Sequence, residues 1–189
     1  MVAAHIVDTL QTVVSRRIDI TKEPAVVTVG QFEAGVRNNI IPDRARLVGT
    51  IRTFDDAMQS RSTSASERSR KASRPRRAPR RPVTIVRGYP VTINDPELTA
   101  RMLPTLQRVA PGRVLESTKV TGAEDFTYYQ RAVPGLFFFL GVTPEDQLAT
   151  AATNHSPRFF ADETALLTGV RALVHLTADY LAGAPPAVR

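Results

Sequence analysis

Three histidines, the adjacent carboxylates Glu124 and Asp125, the arginine Arg52 and the asparagine Asn39 are the residues singled out for chemistry in this 189-residue chain. His155 stands out among the histidines. It lies in "NHSPRF", a polar loop between the apolar run "GLFFFLGV" and a long helical pattern, and loops at strand ends are where sites assemble. A neutral imidazole in such a loop can ligate a metal, but one ligand never makes a site, since zinc needs three or four. His5 and His175 fall inside helical patterns and read as surface or packing residues. Glu124 and Asp125, in "TGAEDF", follow a glycine turn. They read either as pocket carboxylates or as acids at a helix start, where they favour the positive end of the dipole. Asn39, in "RNNIIP", is a turn residue by composition. Arg52, in "GTIRTF", is by itself a charge on a strand surface.

Several chemistries are excluded. There is no cysteine, so neither a disulfide nor a thiolate ligand exists. No glycine-rich phosphate loop, nucleophile-elbow motif or paired-histidine zinc motif occurs. No apolar run is long enough to suggest a membrane span, and the first residues lack the pattern of a signal peptide. A cytoplasmic location is the expectation.

The net charge of +7 suggests nucleic acid until its distribution is read. Residues 60–82, "SRSTSASERSRKASRPRRAPRRP", hold nine bases and one acid, while the rest of the chain holds 16 bases and 17 acids. The excess therefore belongs to one segment. Three readings of it compete: a basic arm for nucleic acid or acidic partners, a solvated insertion, or protein translated out of frame. The last is preferred, because GC-rich DNA read in a wrong frame yields Arg, Pro, Ser and Ala. Codons chosen for 68–82 and read in another frame encode an alanine-rich helix ending at glycine. No aromatic residue interleaves the bases, so nucleic acid is not the expected partner.

The elements that position these residues follow from periodicity. Ile6, Val7, Leu10, Val13 and Val14 form a helical stripe over 3–16. Residues 25–35 and 45–54 read as two strands of an antiparallel pair, with Pro42-Asp43 in the link. Asp55 and Asp56 would cap a helix from Ala57 onward, but Pro75 and Pro79 break helices and no apolar stripe is evident there. That helix is expected to be missing, leaving the strands short of cover and the chain prone to aggregate. Strands are expected at 83–86, 112–117 and 135–142. Helices are expected from Asn94 or Asp95, with Pro104 kinking or interrupting the first, after "TGAED", and over 162–183.

Taken in order, "EAGVRNNIIPDRARLVGTIRTFD", "RGYPVTINDPELT", "GAEDFTYY", "VPGLFFFLGV" and "HSPRFFADETALLTGVRAL" resemble the zinc-dependent amidohydrolases of the aminoacylase, hippurate hydrolase and indole-acetyl-amino-acid hydrolase branch. The resemblance covers nearly all the chain except 60–82. It implies an α+β two-layer lid, ferredoxin-like and incomplete, over 1–87, joined to a partial α/β catalytic domain over 88–189. It implies His155 as a metal ligand, Asn39 and Arg52 as holders of a substrate carboxylate, and Glu124 near the pocket. It also implies zinc or another divalent metal in the complete enzyme, N-acyl amino acids or small peptides as substrates, and a homodimer through the lid. The family's other metal ligands and its glutamate base belong to an N-terminal half with no counterpart here. The expectation is a fragment without activity of its own. The competing expectation is a non-catalytic dimerisation or binding module with a basic arm.

Overall fold

The computed structural model describes residues 1–72 and 83–183. It divides into two compact units: Met1–Val91 together with Thr121–Glu124, and Thr92–Val120 together with Asp125–Arg189.

The first unit is a two-stranded sheet with two helices. Helix α1, Val2–Arg17, follows the expected stripe and buries Val13 completely. Strands β1, Ala25–Ala34, and β2, Ala45–Thr53, pair antiparallel, with Ala25 opposite Thr53 and Ala34 opposite Ala45. A bulge at Gly30 interrupts the register between Val29 and Gln31. Gly49, opposite Val29, tolerates no side chain, since a Cβ there would lie 2.2 Å from the Thr28 carbonyl oxygen. Gly35 opens the hairpin loop at φ +84°, a conformation that costs a residue with Cβ more than it costs glycine.

The helix expected to be missing is present. Helix α2, Asp56–Ala72, runs through the first half of the basic segment and packs on α1 and β2. The Met58 N–H donates to Asp55 Oδ1 at 2.6 Å, which caps the start as the acidic pair foretold. Its buried face is Met58, Ser62, Ala65 and Ser66, spaced i, i+4, i+7 and i+8. Only two of the four are apolar, so a count of large apolar residues overlooks the stripe. The Ser62 hydroxyl turns back to the Met58 carbonyl at 2.7 Å and is satisfied inside its own helix. Arg61, Ser64 and Arg68 take the exposed side. Pro75 and Pro79, with the rest of 73–82, lie outside the described residues.

The second unit is helical. Helix α3, Pro96–Val109, starts at Asp95, whose carboxylate accepts the Leu98 N–H at 2.8 Å. Pro104 lies inside α3 without ending it, so of the two expected effects, a kink or an interruption, the interruption does not occur. Helix α4, Phe126–Ala132, is short. A single 3-10 turn, Glu145–Gln147, precedes helix α5, Thr164–Leu181, which ends before Gly183 at φ +92°.

The strands expected at 83–86, in the first unit, and at 112–117 and 135–142, in the second, are not formed, so the second unit carries no sheet among the described residues. A strand exists only where a neighbour supplies its ladder, and apolar content cannot provide one. Residues 135–142 are instead held at their ends by the Asp95 N–H on the Gly135 carbonyl and the Asp162 N–H on the Val142 carbonyl, and between them by a side chain. Asn94 Nδ2 donates to the Phe137 carbonyl and the Phe137 N–H donates to Asn94 Oδ1, each at 2.7 Å. One amide side chain thus replaces one residue of a neighbouring strand. Phe137 also packs edge-on to Phe139 at 5.3 Å and tilted to Phe126 at 5.6 Å.

Helices α3 and α5 are joined by a polar clamp. The Thr105 hydroxyl and the Arg108 guanidinium both donate to Asp179 Oδ2. Arg101 lies over the Tyr180 ring at 4.7 Å and donates to the Tyr180 carbonyl at 2.9 Å. The hydrogen bond from Thr105, then the one from Arg108, hold the Asp179 carboxyl below the usual carboxylate range. A depressed pKa stabilises the fold above the unfolded-state value and is lost as pH falls through the folded one. The second unit should therefore lose stability on acidification below about pH 4. Asp179→Asn should be less stable at neutral pH and should lack this part of the acid loss. Melting curves between neutral and acid pH check it; parallel curves for both proteins would contradict the clamp.

Candidate functional site

Arg52 is the most informative of the expected site residues. It lies on β2 opposite Val26, near the end of the hairpin away from its loop, and its side chain is exposed. Its Nη1 donates to the carbonyl of Thr121, 69 positions later. Thr121 opens the strip Thr121–Glu124, which clusters with the first unit although the residues on both sides belong to the second. Glu124, half-buried, ends that strip. The structure thus brings the Arg52 element and the Glu124 segment together in one unit.

Asn39 is elsewhere. It occupies the exposed loop joining β1 and β2, whose turn is closed by the Ile40 N–H on the Arg37 carbonyl at 3.4 Å. The ladder from Ala45 to Arg52 alone spans about 23 Å. Asn39 and Arg52 therefore mark opposite ends of one hairpin. The loop also exposes Val36 and Ile41 almost fully, at 89% and 94%.

His155 belongs to the second unit. It is exposed and takes φ 69°, the only positive value at a non-glycine position among the described residues. Histidine is one of the side chains found more often than most in that left-handed region. The turn around it is closed by the Ser156 N–H on the Thr153 carbonyl at 3.1 Å. The ring stands in solvent, available to a ligand.

No group of three or more His, Cys, Asp or Glu side chains gathers to hold a metal among the described residues. The donor set fails the minimum for zinc, and no chemical step through a metal can be derived from this chain's residues. His5 and His175 are exposed on α1 and α5, as expected of surface residues. An open depression of about 460 Å³ in the second unit is lined by Ile93–Pro96 and Gln130–Gly135 and includes none of the expected site residues.

Sequence reasoning missed Thr121 and Asn94. Thr121 acts through a backbone carbonyl, which leaves no mark in sequence. Asn94 was visible only as a candidate helix cap. Its two bonds to Phe137 depend on a partner 43 positions away.

Comparisons with known proteins bear on the chain as a whole. The family model described as peptidase family M20/M25/M40 matches residues 3–179. Thermostable carboxypeptidase 2 of Saccharolobus solfataricus is 31% identical over 92% of this chain and 43% of its own length. N-acetyldiaminopimelate deacetylase of Enterococcus faecalis is 32% identical over 92% and 44%. Among solved structures, a protein of methicillin-resistant Staphylococcus aureus named as an aminohydrolase superposes with a TM-score of 0.74 at 30% identity, over 95% of this chain and 46% of its own. A Bacillus subtilis protein, described as a dinuclear metal-binding peptidase, shares the fold with a TM-score of 0.63 at 22% identity. The chain spans a little under half the length of these relatives. No helix is long and apolar enough to cross a membrane among the described residues.

Proposed function

The chain belongs to peptidase family M20/M25/M40, and on that premise we propose that its residues serve the hydrolysis of an amide bond in an N-acyl amino acid or small peptide. The observation that carries this reading is Arg52: an exposed guanidinium, already fixed at one nitrogen to Thr121, with Glu124 three residues further along. A planar fork of N–H donors takes a carboxylate bidentately, so Arg52 would hold the free carboxylate of the substrate. Asn39 would assist from a second copy of the chain, since one hairpin keeps the two residues apart. That assignment accords with a homodimer formed through the first unit as lid, the second unit being part of the catalytic domain. Glu124 would line the pocket beside the reacting amide.

His155 would contribute one ligand to zinc or another divalent ion. When bound, that ion supplies electrophilic activation of the carbonyl and of water. The remaining ligands and the general base would come from polypeptide other than these 189 residues. The residues of this chain alone would bind and orient, and would not turn over.

The test is direct. Purified chain, supplied with zinc, should hydrolyse no N-acyl amino acid at a chelator-sensitive rate. Turnover abolished by a chelator and restored by metal would overturn the division of labour proposed here.

Within the basic segment α2 commits Ser62, Ala65 and Ser66 to packing, and nucleic acid is not the partner we propose, because no aromatic residue interleaves the bases. An out-of-frame origin for part of 60–82 remains our reading of its composition. The gene's nucleotide sequence decides it: without a compensating pair of insertions or deletions the idea fails.

A further inference from the structure

An exposed arginine has much rotamer freedom to lose when it binds an anion. Arg52 has already lost part of it, because Nη1 is committed to the Thr121 carbonyl. That bond uses one of the five donors of a guanidinium. The free edge of the same plane can still offer two parallel N–H groups to a carboxylate. Fixing the fork before the anion arrives lowers the cost of binding.

The other end of this bond matters as much. Residues 121–124 form neither helix nor strand, so no ladder of backbone bonds holds the strip in the first unit. Both of its flanks, Val120 and Asp125, cluster with the second unit. The bond from Arg52 ties this short strip to β2, and Glu124 is three residues along it.

We propose that Arg52 is a positioning residue as well as an anion fork: it pins Thr121–Glu124 to β2, and a carboxylate on its free edge stiffens the pin, so that occupancy by substrate is passed to Glu124. The stiffening rests on the carboxylate-binding reading above; the pin does not.

The absence of native cysteine makes the test clean. Ala123, exposed in the strip, is replaced (Ala123→Cys) and carries a nitroxide whose mobility is read by electron paramagnetic resonance. The Arg52→Ala and Arg52→Lys changes are made in that background, with far-UV circular dichroism as a check on folding. The immobile spectral component should be present with Arg52, lost with Arg52→Ala and retained with Arg52→Lys, whose ammonium still donates one bond to a carbonyl. N-acetylalanine should enlarge the component with Arg52 and leave it unchanged with Arg52→Lys. Its methyl ester, lacking the carboxylate, should do nothing in any variant. A merely structural arginine would show no difference between acid and ester. Unchanged mobility in a folded Arg52→Ala protein overturns the pin. If that variant has also lost N-acetylalanine binding in an NMR titration, the carboxylate reading stands while the pin falls. Equal effects of acid and ester with the pin intact overturn the coupling and the carboxylate reading together.

Discussion

Replacing Met58 by alanine is expected to destabilise the first unit by about 2–4 kcal/mol. Met58 is 1% exposed, and the residues sharing its face of α2, Ser62 and Ala65, are 0% and 2% exposed. Its neighbours on that face are small, so they offer little bulk to move into the space it leaves. Costs of large-to-small changes rise with the cavity that remains. The same helix supplies the control. Arg68 is exposed on the opposite side, and Arg68→Ala should stay within about 0.5 kcal/mol of the parent. Denaturant melts followed by far-UV circular dichroism check both. Equal and small effects for the two substitutions would mean that α2 is not packed and that the basic segment has no folded part.

Asn94→Ala should cost the second unit about 2–3 kcal/mol. The substitution strips partners from two backbone groups at once, the N–H and the carbonyl of Phe137. Each lost partner costs about 1–3 kcal/mol where burial keeps water from replacing it, and Phe137 is half-buried. Asn94→Asp separates the two bonds. It keeps an acceptor for the N–H but turns an oxygen toward the Phe137 carbonyl, so it should not restore stability. The cap of α3 is untouched in either variant because Asp95 provides it. Thermal melts check the series. A wild-type melting temperature in Asn94→Ala would show that residues 135–142 do not depend on the Asn94 bonds.

These two sites also show what was legible in the sequence. Helix α1, the hairpin, α3, α4 and α5 follow from local spacing and from glycines placed at turns and stops. The stripes of α1, α3 and α5 are long, and ends are marked by Gly35, Asp95 and Gly183. Helix α2 was misread because burial was equated with large apolar residues. A stripe of methionine, alanine and serines is as buried where helices approach closely. The three unformed strands were misread for a different reason. A run such as "GLFFFL" states a need for cover, while strand structure states who provides it, and that information is not local. The site divides the same way. Arg52 and Glu124 share one unit through a carbonyl that sequence cannot show. Asn39 and Arg52, both legible as carboxylate holders by resemblance, are kept apart by the length of the ladder between them.

The strip Thr121–Glu124 sets an order of events during synthesis. All other residues of the first unit have been made by Val91. The partner of Arg52 is made only 30 positions later, at Thr121. At bacterial and eukaryotic elongation rates that is a wait of about 2–6 s, long beside the microseconds in which a hairpin forms. The hairpin and its helices thus spend their first seconds on the ribosome with Arg52 untethered. The unit is finished only when the chain that will build its neighbour passes back through it.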